Sequence, residues 1–257
     1  MVSAQARTTF PVHGPRSHFS YVPQSTQDFL DVGCNDGGTL EYALAQGIPR
    51  VYGIDINAAA IELARQKLGT DPRVVIADGS ADTLPFADES MDVVHCAEVL
   101  EHVPEELRPT VVREIRRVLR PGGRLIMSVP HDGLFAFLDP SNMRFRAPAA
   151  WRLASRLAGG RSRDAGYEGA KHGVVWHHHF RLSELRALLT GHFALEQVNC
   201  RGTCLRPLTE ILLFPLYRRR MYGHPLFGML KRIAGWDQAI DAGERFAYNV
   251  LIVARAC

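Results

Sequence analysis

Between Asp28 and Pro130, short apolar runs alternate with stretches whose apolar residues recur at helical spacing. Phe29–Val32, Val51–Asp55, Val74–Ile76 (ending at Asp78), Asp92–Cys96 and Arg124–Val129 read as strands. Between them, Gly37 and Gly38 open a helix running to about Gln46, and Asn57 caps one carrying Ile61, Ala64 and Leu68. A third helix spans Glu105 to Leu119, with Leu107, Val111, Ile115 and Val118 on one face, and Pro121-Gly122-Gly123 stops it. Strands joined by helices pair in parallel through right-handed crossovers. The expected fold is therefore an α/β, doubly wound, mostly parallel sheet.

After Pro130 the rhythm changes. His131 to Val175 is irregular and rich in aromatics, arginine and glycine. Ser183 caps a helix through Leu189, Phe193–Val198 reads as a sixth strand and Phe246–Val253 as a seventh. The stretch between those strands is too long for a simple connection and should fold into helices of its own. The expected organisation is an N-terminal segment, 1–27, serving as a lid, followed by one domain, 28–257, with insertions at about 131–175 and 200–245.

Composition supports one such domain and removes other classes. The 257 residues are 46% hydrophobic, enough for a substantial core, and 22% charged. The longest apolar stretch, Leu205 to Tyr217, is short of the roughly 18 residues a membrane span requires and carries Arg206 and Glu210. No basic patch followed by an apolar run opens the chain, so no signal peptide is expected. A net charge of +3 does not point to a dedicated nucleic-acid binder. Cys34, Cys96, Cys200, Cys204 and Cys257 are scattered, with no C-x-x-C pair, as buried thiols in a reducing cytoplasm would be.

Ligands of an open parallel sheet bind beyond the carboxyl ends of its strands. Asp31-Val32-Gly33-Cys34-Asn35-Asp36-Gly37-Gly38 lies at the end of the first strand, where Gly33 and Gly37 permit close backbone approach. Asp55 ends the second strand, 22 residues after Gly33, and its two oxygens match a ribose diol. A dinucleotide loop requires a second glycine for the pyrophosphate. Here Asn35 and then Asp36 occupy that place, and the acidic loop suits a nucleoside bearing an ammonium and a sulfonium.

Gly33 to Gly37, Asp55, Asp78 and Glu98 to His102 together resemble class I S-adenosylmethionine-dependent methyltransferases of the E-x-x-E-H subgroup, methyltransferase-11/23-like. The resemblance covers Asp28 to Pro130, with Asn35 replacing the second glycine of the family's D-x-G-C-G-x-G motif. It implies seven strands with an antiparallel last one, a variable cap, and S-adenosylmethionine as cofactor. It also implies that Asp31, Gly33, Asn35 and Gly37 line the methionine end, and that Asp55 and Ile56 hold the ribose. Asp78 with Gly79 would meet the adenine edge, Asp82 being the alternative, and the backbone near Cys96 would receive the amino group.

Methyl transfer asks the protein to align a nucleophile and remove its proton. Glu98, Glu101 and His102 would share one face if their segment is helical, and the internal Trp176-His177-His178-His179-Phe180 run could fold back over the same mouth. In one reading His102 or His178 is the general base. In another, Glu98, Glu101, His102 and His178 bind a divalent metal, as the resemblance to small-RNA 2′-O-methyltransferases and ubiquinone-type O-methyltransferases implies. In a third these residues only stabilise the loop. The assignment adopted is His102 and His178 as catalytic and no metal ligands. His13, His18, His131, His172, His192 and His224 are assigned to surface or capping positions, His131 being nearest the acceptor.

The expected activity is O-methylation of a small-molecule hydroxyl on a sugar, glycolipid or secondary metabolite. An RNA 2′-O-methyltransferase and a non-catalytic S-adenosylmethionine-binding protein are the alternatives. Apolar residues and arginines of 131–175, including Leu134, Phe135, Trp151, Arg144 and Arg146, suit an amphipathic acceptor. The segment 205–233, which sets Ile211-Leu212-Leu213-Phe214 beside Arg218-Arg219-Arg220, suits a lid, a homodimer contact or a peripheral membrane contact.

Overall fold

A computed structural model describes residues 14–139, 142, 146–157, 177–218, 221 and 223–257. Seven strands form one sheet in the order β3-β2-β1-β4-β5-β7-β6. They are β1 (Asp28–Val32), β2 (Arg50–Asp55), β3 (Val74–Asp78), β4 (Met91–Ala97), β5 (Leu119–Pro130), β6 (Phe193–Arg201) and β7 (Asn249–Ala256). β1 to β5 are parallel, and β7 runs antiparallel between β5 and β6. The expected doubly wound sheet with an antiparallel last strand is the fold observed.

Central β1 is buried along its whole length, and its side chains alternate between two layers. Leu30 and Val32 join Val94, Cys96, Val111, Ile115, Leu185 and Leu189, beneath α3 (Arg108–Val118) and α5 (Leu182–Leu189). Phe29 joins Leu40, Val51, Ile61, Val93 and Leu251 on the opposite face, beneath α1 (Gly38–Ala45) and α2 (Ala58–Leu68). A 3₁₀ segment, Gly14–Tyr21, closes this second layer by setting Phe19 against Phe29 and Tyr42. As expected, Asn57 caps α2, its side-chain oxygen accepting from the amides of Ala59 and Ala60.

Several boundaries differ from the sequence reading. Glu105–Leu107 is a separate 3₁₀ turn before α3, and β5 already begins at Leu119. Arg181, rather than Ser183, occupies the cap position of α5. The last strand starts at Asn249 because Gly243–Phe246 forms a short helical turn, α8. The long connection between β6 and β7 does fold into helices, α6 (Leu205–Arg218) and α7 (Pro225–Asp237), joined through Leu213, Leu216 and Leu230. Leu212, Met229 and Trp236 on this pair are exposed, and no described helix is long and apolar enough to cross a membrane. In the 131–175 insertion, α4 (Pro148–Leu157) is described, whereas Arg144 and the 158–176 stretch, with Trp176, lie outside the described residues. All five cysteines are free.

The amino edge of the sheet is tied by ion pairs. Asp28, nearly buried, accepts from Arg50 on β2 (2.6 Å), Arg120 on β5 (3.0 Å) and Tyr52 (3.2 Å). The bond from Arg50 chiefly holds the Asp28 carboxyl below its ordinary range. A depressed carboxyl stabilises the fold above its unfolded pKa and loses that contribution as pH falls through the folded value. Asp28→Asn should therefore cost about 1–2 kcal/mol at neutral pH, reduced by the exposure of Arg50. Urea melts should show the difference from wild type closing below about pH 4.

Candidate active site

The carboxyl edge is built differently. β1 ends at Gly33, whose φ of +78° is left-handed and whose position leaves no room for a side chain: a Cβ would lie 2.4 Å from Val99 Cγ2. The amides of Gly33 and Cys34 both donate to the carbonyl of Ile54, at 2.8 and 3.0 Å, binding the loop to the end of β2. Asn35 is also left-handed, at φ 47°, and Gly37 at φ 81° caps α1. Asp55 braces two turns, since one oxygen accepts from the amide of Asn35 and the other from that of Asn57, each at 2.8 Å. A carboxylate has about four acceptor positions, so both oxygens can still meet a diol.

Ile56 is half-buried in the bend after Asp55. Asp78 stands beside Asp55 across the β2–β3 register, its side chain half-exposed and 3.0 Å from Arg65. At Gly79 a Cβ would lie 2.9 Å from Ile54 Cδ1, so the backbone itself borders the cleft. Cys96, fully buried near the end of β4, has its thiol pushed up by burial and then by Glu101. Asp36 is ion-paired with Lys67 rather than free in solvent. Asp31 is not an open carboxylate at the methionine end, because its Oδ1 lies 2.6 Å from Nδ1 of buried His95.

Two expectations about the mouth are corrected. Glu98 does not share a face with Glu101 and His102. Its φ of 57° turns the chain, only Leu100–His102 is helical, and that as a single 3₁₀ turn. The Glu98 carboxylate instead accepts from Ser128 Oγ (3.0 Å) and Asn249 Nδ2 (2.7 Å). Nor does His178 face the mouth. The 177–179 stretch lies outside any helix and leads into a bridge at Phe180, and alternate side chains go opposite ways. His178 packs on Phe180 and lies 3.0 Å from Glu184, while His177 and His179 converge on Asp139, at 2.5 and 3.1 Å.

Glu101 is the centre of this second cluster. It is 1% exposed, and among the described residues no donor lies within hydrogen-bonding distance of either of its oxygens. His177 Nε2 lies 3.6 Å away and His102 Nε2 3.9 Å. Burial lifts the Glu101 carboxyl to about 7, helped by Glu98 and opposed by His177. Burial works against charge on His177 as well, but its contacts with Asp139 and Glu101 prevail and raise it to about 10. One ligand atom from each of Glu101, His102 and His177 falls within a 4.8 Å group, as does one from each of Asp139, His177 and His179.

Residues 30–127 match the family described as "Methyltransferase domain". Over 153 residues the chain is 34% identical to a ubiquinone biosynthesis O-methyltransferase of Pseudomonas paraeruginosa, covering 54% of this chain and 63% of that one. Over 102 residues it is 41% identical to the 27-O-demethylrifamycin SV methyltransferase of Amycolatopsis mediterranei, covering 38% and 36%. In neither case does the chain span two thirds of the relative's length. An S-adenosylmethionine-dependent methyltransferase structure from Mesorhizobium loti superposes with a TM-score of 0.57 at 18% identity, covering 94% of this chain and 98% of that one. A second, from Methanosarcina mazei, gives 0.53 at 20% identity, covering 92% and 94%; both likenesses are of fold. Residues 30–127 thus match a methyltransferase domain, and the fold is one shared with S-adenosylmethionine-dependent methyltransferases of known structure.

S-adenosylmethionine is named as the cofactor of the Mesorhizobium loti protein with this fold, and the carboxyl edge of this chain has features that suit it. Glycines keep the backbone bare at Gly33 and Gly79, and the Asp55 carboxylate meets backbone amides but no cation among the described contacts. Sequence reasoning missed His95 and misassigned His18, which is buried, and His131, whose nitrogens both lie 2.8 Å from backbone carbonyls. A signal existed for His95: it is a polar residue within the apolar part of its strand, two positions from inward-facing Val93. Gly33→Ala should cost about 1–3 kcal/mol in thermal or urea unfolding, since it combines a left-handed backbone with an overlap on Val99.

Proposed function

We propose that this protein transfers the methyl group of S-adenosylmethionine to a hydroxyl of a small molecule. The reading is carried by the Gly33–Asp55 turn, which lies at the carboxyl edge of the sheet, as does the pair of Glu101 and His102 after β4. O-methyltransferases among the named relatives support oxygen as the methylated atom. S-adenosylmethionine, when bound, supplies a methyl group already activated on a sulfonium. Asp55 would hold the ribose hydroxyls, and the Gly33–Gly37 turn would let the methionine portion approach the backbone. An imidazole at the mouth would take the proton of the acceptor hydroxyl. Asp55→Ala should weaken S-adenosylhomocysteine binding about 10- to 100-fold, as loss of a charge-assisted contact predicts. Titration calorimetry measures it, and unchanged affinity would refute this placement of the ribose.

A second role, carried by Glu101, concerns a divalent cation. A buried carboxylate without a hydrogen-bond donor among the described residues, flanked by His102 and His177 and followed by Asp139 and His179, is a hard-and-borderline donor set that such a cation would satisfy. These residues would hold it, and it would supply a positive charge able to orient acceptor oxygens. Equilibrium dialysis of chelator-treated protein against Mn²⁺ or Zn²⁺ should then show bound ion in wild type and loss of it in Glu101→Gln. Absence of binding in the wild type would leave His177, as an imidazolium between Glu101 and Asp139, as the charge-balancing group.

A further inference from the structure

Three polar side chains from three separate elements form a row inside the sheet layer that holds Phe29. Asp31 on β1, His95 on β4 and His18 on the N-terminal 3₁₀ segment are 3%, 1% and 8% exposed. Asp31 Oδ1 lies 2.6 Å from His95 Nδ1, and His95 Nε2 lies 3.0 Å from His18 Nδ1. The His95 ring stacks near Phe29. The bonds also determine where the protons sit. A carboxylate only accepts, so His95 donates from Nδ1, and a neutral His95 accepts at Nε2. His18 then donates from Nδ1, and its own Nε2 is left as a bare acceptor.

His18 is also the end of the row that borders a cavity of about 50 Å³ at the carboxyl edge of the sheet. Glu98, Ser128, Arg201 and Arg206 line it too. That volume takes the reacting end of a ligand, a few water-sized groups, rather than a whole acceptor. Arg201 donates to the Tyr21 hydroxyl (2.7 Å), and Arg206 stands 3.8 Å from Glu98 Oε2. Two guanidiniums over one small cavity suit a carboxylate or phosphate group.

We propose that His18 is the base for the acceptor hydroxyl, with His95 and Asp31 as its positioning residues, and that Arg201 and Arg206 select an acceptor carrying an anionic group beside that hydroxyl. This rests on the methyl-transfer reading above. In the step, the acceptor oxygen forms a bond to the methyl carbon as the carbon–sulfur bond breaks, and that electron pair stays on sulfur. The hydroxyl proton goes to His18 Nε2, and the Nδ1 proton can pass to His95 Nε2, leaving the positive charge beside Asp31. Burial above all depresses His18 to about 3, so it stands neutral before the acceptor arrives. The opposing groups around it are Glu98 on the cavity wall and Asp31 behind His95. An anion seated on the arginines cancels part of their repulsion, so the base strengthens when the right acceptor is bound.

Imidazole ¹⁵N spectra of the full chain saturated with S-adenosylhomocysteine test this, with inorganic phosphate as the anionic probe. At pH 7 His18 should be the Nδ1–H tautomer. Phosphate should raise its pKa by about one unit or more. Arg201→Gln and Arg206→Gln should each weaken that phosphate response about tenfold. His18→Gln should leave S-adenosylhomocysteine affinity within about twofold, as expected of a group outside the cofactor cleft. Asp31→Asn should change the His95 tautomer, and if that variant does not fold the wild-type spectrum still decides. An Nε2–H tautomer at His18, or resonances that phosphate does not move, would overturn the proposal. Failure of the wild type to bind S-adenosylhomocysteine would instead overturn the methyl-transfer reading and leave the tautomer result standing.

Discussion

At Gly33 the buried central strand must stop, reverse the local handedness of its backbone and release the chain into α1 within a few residues. Two amide bonds to the Ile54 carbonyl hold that turn against β2. Val99 packs where a side chain would otherwise project. The position of Asp55 follows, because its carboxylate closes on the amide of Asn35 in the same turn. A side chain at Gly33 would disturb both neighbouring strands and the cleft together.

The two edges of the sheet treat charge in opposite ways. At the amino edge, Asp28 and Asp92 are saturated by Arg50, Arg120 and backbone amides, and the network serves to hold strands together. At the carboxyl edge, Asp55 is held by amides, Glu98 by a serine and an asparagine, and Glu101 by no donor among the described residues. Asp55, held by amides alone among the described contacts, retains its field for something outside the protein. An adenosyl sulfonium, an acceptor and a cation are all species that such an edge would attract.

Histidines complete the picture because each group lies at a different depth. His177 and His179 reach Asp139 from an extended run, His178 points away to Glu184, and His18 and His95 lie within the apolar layer. Their protonation follows from neighbours rather than from residue type. Two acids draw a proton onto His177, whereas burial above all keeps His18 neutral. One residue type thus provides a cation in one place and an acceptor in another.

Much of this was legible in the chain itself. Period-two and period-3.6 patterning specified five parallel strands and their helices, and the Gly33 loop with Asp55 marked the cofactor edge, because both depend on neighbours a few residues apart in sequence. The contacts that set the mouth were not legible. Glu98 left the expected face through one left-handed residue, and the triple histidine divided according to an extended backbone. Asp31 met His95 across 64 residues, and His95 met His18 across 77. Local pattern determines which elements form and which ends carry acids. Which nitrogen meets which oxygen is decided only by packing, since a proton's position depends on groups that the fold alone brings within 3 Å.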